Sequence, residues 1–334
     1  MKDSPTTFDL ALARFFRIYN MTKLLSLGEL LIDMLPQDSQ NSAYLPIAGG
    51  APANVAVGYA KLGGKAAFCG GMGDDYFAKQ LSKSLAQYKV STEYLFTIKD
   101  SQTAVVIVSL DETGERSFNF YRHNTADLLL TSEHLNHIKW DELSTLHFCS
   151  NTLTNLAIAR TTINALKLAK NNHKLVSFDV NLRYSLWQNS NDIEQNVHAC
   201  YAYCDIVKLS RDELNFLAEQ TQQAPDDYLQ SILDTGVKLV FLTDGPAPAT
   251  VYHNVFTFTE AAPIITAVDT TSAGDAFIAG VLYYLNHNDE NILLTDKLNN
   301  QKIVKRALNF GLRCGSKACL AKGAFPALPT LQEV

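Results

Sequence analysis

The segment Asp269 to Phe277 (DTTSAGDAF) places an aspartate beside small residues at the start of a predicted helix. The apolar stretch Ala276 to Leu285 predicts that helix, whose N-terminus would present unpaired N–H groups and a positive dipole end. Small side chains at 272–274 let an anion approach this backbone closely. Asp275, in the first turn, could then take a proton from an attacking hydroxyl group. The local sequence is equally compatible with an aspartate that only caps the helix.

A second segment, Gly49 to Ala56 (GGAPANVA), also leads into a predicted helix. Adjacent glycines allow a polyhydroxylated ligand to approach the backbone, and Asn54 offers both a donor and acceptors. Asp33, in GELLIDM, follows the first predicted strand, and ligands of α/β sheets bind beyond the carboxyl ends of strands. Taken singly, these residues are explained more simply by a strand-to-helix turn and an exposed loop aspartate.

Short apolar runs alternate with longer amphipathic runs along most of the chain, which predicts an α/β fold with a doubly wound, mostly parallel sheet and helices on both faces. Two stretches, 34–47 and 92–122, read as β-structure without helices and predict a small inserted β-sheet that acts as a lid. The turn DETG, flanked by 104–110 and 115–121, is the clearest hairpin pattern in the chain.

The first strand pattern begins only after Met21, so we interpret residues 1–20 as an N-terminal extension, with Met21 as an alternative start, and 21–330 as the α/β domain. The net charge of −6 gives no long-range attraction for nucleic acid or an anionic membrane. Six cysteines without C-x-x-C spacing indicate free thiols and a cytoplasmic location. There is no G-x-x-x-x-G-K-[ST] phosphate-binding loop, dinucleotide fingerprint or histidine–cysteine metal cluster.

The two glycine-containing segments, in this order and about 220 residues apart, resemble the two signatures of the ribokinase family, also called the PfkB carbohydrate kinases. The resemblance runs from about Lys23 to about Gly323. It implies ATP-dependent phosphorylation of a sugar hydroxyl, with Asp275 as the base. The backbone of Ser272, Ala273, Gly274 and Asp275 would form the anion hole for the transferring phosphoryl group. Ser272 replaces the commoner glycine but supplies the same backbone N–H.

The resemblance also implies roles for residues elsewhere in the chain. The positions that match sugar contacts in the family are Asp33, Gly49, Gly50, Asn54 and Arg183. The positions that match its nucleotide contacts are Ser210, Thr243, Gly245, Gly274 and Asn309. Glu213 matches the glutamate of the N-x-x-E element that organises the water shell of Mg²⁺, with Ser210 in place of the asparagine. Asp269 and Thr271 match a monovalent-cation site, which would hold K⁺.

Residues 118–130 (FNFYRHNTADLLL) resemble the corresponding segment of the fructokinases in that family, which implies D-fructose as substrate and Tyr121 and Arg122 as sugar contacts. Alternatively, these two residues lie on the lid surface and pair with a carboxylate across a dimer. Aminoimidazole riboside and 2-keto-3-deoxygluconate are alternative substrates, and a sugar-sensing protein without catalysis is an alternative function. Lids of this family often make the dimer contact, so the resemblance implies a homodimer formed through the lid.

Overall fold

The computed structural model describes residues 23–111, 116–289 and 291–334, without the side chain of Arg116. The proposed extension 1–20 and the alternative start at Met21 lie outside these ranges, and so does most of the DETG turn.

The strands and helices of the described residues follow each other largely in the predicted alternation. The strands are β1 (Lys23–Leu27), β2 (Leu31–Pro36), β3 (Tyr44–Gly49), β4 (Lys65–Met72), β5 (Val90–Thr97), β6 (Val105–Leu110), β7 (Arg116–Tyr121), β8 (Leu143–Cys149), β9 (Leu175–Asp179), β10 (Ile206–Ser210), β11 (Leu239–Asp244), β12 (Ala247–Tyr252) and β13 (Thr257–Glu260). The α-helices are α1 (Ala51–Lys61), α2 (Tyr76–Gln87), α3 (Leu156–Asn171), α4 (Asp192–Tyr201), α5 (Arg211–Gln220), α6 (Pro225–Asp234), α7 (Ala273–His287), α8 (Leu294–Lys297) and α9 (Gln301–Ala318).

The large sheet has the strand order β13-β12-β11-β10-β9-β8-β1-β4-β5 within the described ranges. All neighbours from β11 to β5 are parallel, so the carboxyl ends of these strands share one edge. The prediction of a doubly wound, mostly parallel sheet is therefore confirmed. β12 and β13 extend the sheet as antiparallel strands, and the strand–helix alternation of the sequence does not predict them.

The central strands are buried because helices cover both faces of the large sheet. Every residue of β9 is buried, as is typical of parallel strands between two helical layers. On one face the core includes Ala279 of α7 and Leu308 of α9, and on the other it includes Ile158 of α3 and Val197 of α4. This packing fixes the N-terminus of α7 at the edge where the parallel strands end.

A separate four-stranded sheet has the order β3-β2-β6-β7 and corresponds to the predicted lid. One boundary of that prediction is wrong, because residues 92–97 belong to β5 of the large sheet. β5 pairs parallel with β4, and burial of Tyr94 in the main core explains why it joins the larger sheet. The inserted sheet takes its second part from β6 and β7 only.

None of the helices in the described part of the chain is long and apolar enough to cross a membrane.

Candidate active site

Asp275 lies at the point where α7 begins, buried against the carboxyl edge of the large sheet. Asn54 of α1 donates a hydrogen bond from Nδ2 to Asp275 Oδ2 at 2.7 Å. Burial, followed by the charge of Asp179, raises the pKa of Asp275 to about 7, while the hydrogen bond from Asn54 and the charges of Lys208 and Arg183 oppose this rise. A carboxylate with this pKa is well matched to accept a proton near neutral pH.

The other amide atom of Asn54, Oδ1, is buried and has no hydrogen-bond partner among the described residues. A buried acceptor without a donor is costly, so its presence beside Asp275 fits a site that receives a donor from a ligand. A sugar hydroxyl could supply that donor and then lie next to the carboxylate that removes its proton.

Asp33 and the glycines predicted to contact sugar lie together at the junction of the two sheets. β2 carries Asp33, and a Cβ atom at Gly49 on the adjacent β3 would collide with the Asp33 carboxylate. Gly50 has a φ of 110°, and a Cβ there would strike the carbonyl oxygen of Glu29. The backbone at Gly50 therefore requires glycine, and Gly49 leaves the space that the Asp33 carboxylate occupies. Burial raises the pKa of Asp33 to about 7, the charge of Arg183 lowers it, and that of Glu29 raises it.

Arg183 is exposed on the loop after β9, and its Nη1 donates to the carbonyl oxygen of Leu182 at 3.0 Å. Its charge acts on both Asp33 and Asp275, so the structure brings this predicted residue to the same site. A guanidinium that faces two carboxylates from the solvent side could also meet the phosphate groups of a nucleotide.

Sequence reasoning missed Glu29, which is only 2% exposed and organises the backbone at the start of α1. Its Oε1 accepts from the Ala51 N–H at 3.2 Å and from Asn151 Nδ2 at 2.9 Å. Glu29 thereby joins the start of α1 to the loop after β8. Its place in GELLIDM beside Asp33 was the available signal, but Asn151 is too distant in sequence to be paired with it by inspection.

Tyr121 and Arg122 occupy different environments, as alternation along a strand predicts. Tyr121 is 62% exposed, whereas Arg122 is 7% exposed. Arg122 Nε donates to Asp127 Oδ2 at 2.6 Å, and Nη2 donates to the carbonyl oxygen of Asn151 at 3.0 Å. Burial favours a lower pKa for Arg122, but the carboxylates of Asp127 and Glu29 outweigh burial and raise it. The carboxylate that pairs with Arg122 thus belongs to its own chain, unlike the cross-dimer alternative.

On the opposite side of Asp275, a cavity of about 490 Å³ opens between the end of β11 and the first turn of α7. Its wall is mostly apolar and includes the predicted nucleotide residues Thr243, Gly245 and Gly274, together with Ala273. An apolar cavity that ends at a helix N-terminus can hold an aromatic base at one end and phosphate groups at the other.

Asn309 is not among the residues that line this cavity, since its amide donates to Glu260 Oε2 at 3.2 Å on the outer part of α9. Leu312, Gly315 and Ser316, further along the same helix, line the cavity instead. Gly315 is the position of close packing, because a Cβ there would lie 3.0 Å from the Ala273 carbonyl oxygen. The residues of α9 that line the cavity therefore lie further along the helix than Asn309.

Ser210 and Glu213 form a capping box at the start of α5. Ser210 Oγ accepts from the Glu213 N–H at 3.2 Å, and Glu213 Oε2 accepts from the Ser210 N–H at 2.7 Å. Glu213 Oε1 accepts from the Leu182 N–H at 2.8 Å. These bonds hold the Glu213 side chain in one position at the start of α5, next to the loop after β9. A carboxylate has about four acceptor positions, so Glu213 keeps capacity for metal-bound water.

Asp269 holds the loop before α7 in place. Its Oδ1 accepts from the Thr271 N–H at 3.0 Å and from the Thr271 hydroxyl, and its Oδ2 accepts from the Gly323 N–H at 3.1 Å. Among the described residues, no group of three or more histidine, cysteine, aspartate or glutamate side chains could form a metal site by itself. Any cation at this site would therefore rely on backbone oxygens, water or bound phosphate groups.

Residues 21–331 match the family model for pfkB family carbohydrate kinases. The chain belongs to this family. Among curated relatives of this pfkB kinase, a fructokinase of Vibrio alginolyticus is 36% identical over 307 residues, which cover 92% of this chain and 96% of the relative. A probable fructokinase of Arabidopsis thaliana, fructokinase-5, is 35% identical over 316 residues, covering 93% and 95%.

Solved structures agree with this assignment of the pfkB kinase. A fructokinase of Xylella fastidiosa with bound ATP has a TM-score of 0.89 and 35% identity, over 93% of this chain and 96% of that one. A fructokinase double mutant of Vibrio cholerae, solved with fructose, ADP and potassium ion, has a TM-score of 0.83 and 33% identity, with 93% and 96% covered. The aminoimidazole riboside kinase of Salmonella enterica, complexed with its riboside and an ATP analogue, has a TM-score of 0.80 and 28% identity, with 93% and 97% covered.

Proposed function

We propose that this carbohydrate kinase transfers the terminal phosphoryl group of ATP to a hydroxyl group of D-fructose, with Asp275 as the general base. The fructokinase relatives from bacteria and plants support the substrate, and the relatives solved with ATP, or with fructose and ADP, support both ligands. The observation that carries the mechanism is the position of Asp275. It lies between the sugar side, marked by Asn54 and Asp33, and the cavity that ends at Gly274.

In this proposal the sugar lies over Asp33, Gly49, Gly50 and Asn54, with one hydroxyl group directed at Asp275. The hydroxyl oxygen attacks the terminal phosphorus as its proton passes to the Asp275 carboxylate. The bond from that phosphorus to the bridging oxygen breaks, and ADP leaves. The backbone N–H groups at the start of α7, from Ser272 to Asp275, stabilise the negative charge on the transferring phosphoryl group. Stabilisation of this charge is the main contribution of the protein to phosphoryl transfer.

Cation binding belongs to the proposal as well. Mg²⁺ bound with the nucleotide neutralises phosphate charge, and Glu213 would orient its water ligands through the acceptor capacity that remains on its carboxylate. K⁺ would bind beside the loop that Asp269 and Thr271 shape, and the potassium ion named in the Vibrio cholerae structure supports a monovalent cation in this family.

We assign the lid function to the small sheet, because β2 and β3 carry Asp33 and Gly49 at the sugar side. Closure of this sheet would exclude water and limit wasteful ATP hydrolysis. The proposal further includes a homodimer formed through the same sheet and a cytoplasmic location. Exposed apolar side chains on the sheet, Leu45 and Phe118, support a partner surface there.

Aminoimidazole riboside is the second candidate substrate, because the riboside kinase of Salmonella enterica shares the fold over nearly its whole length. Fructose is favoured because the fructokinase relatives show higher identity over the same span. A panel of sugars in a coupled assay of ADP formation separates the candidates. We expect the highest kcat/KM for D-fructose, ahead of ribose, tagatose, 2-keto-3-deoxygluconate and the riboside. A higher kcat/KM for any of these compounds would refute D-fructose as the substrate. ADP formation at the same rate with and without sugar would refute the kinase mechanism.

A further inference from the structure

Lys208 forms a buried ion pair that the proposed mechanism does not use. It lies on β10 directly in register with Asp179 of β9, so both side chains leave the same face of the sheet. Lys208 Nζ donates to Asp179 Oδ1 at 3.0 Å and to Oδ2 at 3.2 Å. Buried ion pairs of this kind lose much of their attraction to desolvation, so stability alone is a weak reason for one to be present.

The ammonium group of Lys208 also lies against the start of α7. A Cβ atom added to Gly274 would stand 3.0 Å from Lys208 Nζ and 3.8 Å from Cε. The absence of a side chain at Gly274 therefore makes room for a cation directly under the loop. Asp179 occupies two directions around the ammonium, which has three N–H groups in all.

The charges around this point explain why a fixed cation would matter. Asp275 and Asp179 are both buried, and the charge of Asp179 acts on Asp275. Two cations act on Asp275, and of these Arg183 is exposed. Among the described side chains, Lys208 is therefore the buried cation that lies near both Asp275 and Asp179. The carboxylates of Asp179 and Glu213 outweigh burial and raise the pKa of Lys208, which keeps it charged. An incoming triphosphate adds further negative charge at the same place.

We propose that Lys208 is a positioning residue for phosphoryl transfer, whose ammonium group, held by Asp179, supplies fixed positive charge under Gly274 and keeps the anion-binding loop and Asp275 aligned with the transferring group. This inference rests on the proposed function, since it requires that the loop receive a phosphoryl group. In this role Lys208 acts through the loop backbone and Asp275 rather than through contact with the sugar.

The test compares Lys208→Met with Lys208→Arg and with Lys297→Met as a matched control. Lys297 is also buried, and its Nζ donates to the carbonyl oxygen of Leu285 at the far end of α7. We expect Lys208→Met to lower kcat about 10- to 100-fold, below the effect of removing a direct donor to developing charge, with KM for fructose within about 2-fold. Lys208→Arg, which keeps the charge, should recover part of kcat. Lys297→Met should lose stability and keep kcat.

Binding of ADP, alone and with aluminium fluoride as a mimic of the transferring phosphoryl group, separates positioning from general structural damage. Lys208→Met should bind ADP normally and lose most of the added affinity that aluminium fluoride gives to the unmodified enzyme. An equal loss for both ligands, or an unchanged kcat, would overturn the inference.

If Lys208→Met does not fold, the double variant Asp179→Asn/Lys208→Met removes both charges and leaves no buried charge uncompensated. It should fold and show the same loss of kcat, and normal turnover in it would overturn the inference. Absence of sugar-dependent turnover in the unmodified protein would instead refute the proposed function itself.

Discussion

Asn54 and Asp275, which are 221 residues apart in sequence, meet through a buried hydrogen bond of 2.7 Å. This bond joins the first turn of α1, directly after Gly49 and Gly50, to the first turn of α7, which borders the apolar cavity. Two segments that the sequence marks separately as chemically unusual thus form one site. The unpaired Oδ1 of Asn54 points to a ligand as the missing partner.

Asn54→Ala should move the acid limb of the kcat/KM profile to higher pH. The hydrogen bond from Asn54 lowers the pKa of Asp275, which burial and Asp179 raise to about 7, while Lys208 and Arg183 keep their opposing effect. Without that bond the pKa rises further, and the base is ionised only at higher pH. The shift should be about 1 pH unit, since a hydrogen bond to a charged group is worth at least about 1.4 kcal/mol. Asn309→Ala is the matched control, and an unmoved limb in Asn54→Ala would contradict this account.

Asp33→Ala should weaken sugar binding without changing the affinity for ATP. A hydrogen bond from a sugar hydroxyl to a carboxylate is worth about 1.5–3 kcal/mol, which corresponds to roughly a 10- to 150-fold rise in the fructose Kd. Calorimetric titration with fructose and with a non-hydrolysable ATP analogue measures both. Asp141→Ala, at an exposed aspartate just before β8, should change neither. An equal loss for both ligands in Asp33→Ala would place Asp33 outside the sugar site.

Arg122→Ala should destabilise the fold by about 3–5 kcal/mol, because it leaves the Asp127 carboxylate buried without its cation. Urea denaturation measures this loss, and Arg160→Ala, an exposed arginine on α3, should stay within about 0.5 kcal/mol of the unmodified protein. The double variant Arg122→Ala/Asp127→Ala should recover part of the stability. A variant Arg122→Ala of normal stability that prefers a different sugar would instead make Arg122 a direct sugar contact.

The sequence predicts many elements closely because their patterns are local. The helix predicted at Ala276 to Leu285 lies within α7, and the hairpin segments predicted at 104–110 and 115–121 match β6 and β7. The segment 92–97 is assigned to the wrong sheet, because β-patterning shows that a strand exists but not which neighbour it pairs with. Strand pairing depends on contacts between distant segments, which a single sequence does not display.

The candidate site shows the same division. The small residues beside Asp275 and the glycine pair before α1 are visible as local motifs, so the two ends of the site can be predicted. The pairs Glu29–Asn151 and Lys208–Asp179 form only when the parallel strands align, and neither has a local sequence signal. The pairing of Arg122 with Asp127 is likewise visible only in the fold, and contact between Arg122 and the sugar stays a prediction.

The most direct test of the central claim is sugar-dependent ADP formation with D-fructose, measured side by side for the unmodified protein and Asp275→Asn. The amide keeps the shape of the side chain but cannot take the hydroxyl proton, so turnover should fall by roughly 10²- to 10⁴-fold, the usual contribution of a general base. Circular dichroism and thermal melting check that the variant is folded. Robust fructose-dependent turnover in the unmodified protein, with this loss in a folded variant, is the result the account predicts. Near-normal turnover in a folded Asp275→Asn protein would contradict it.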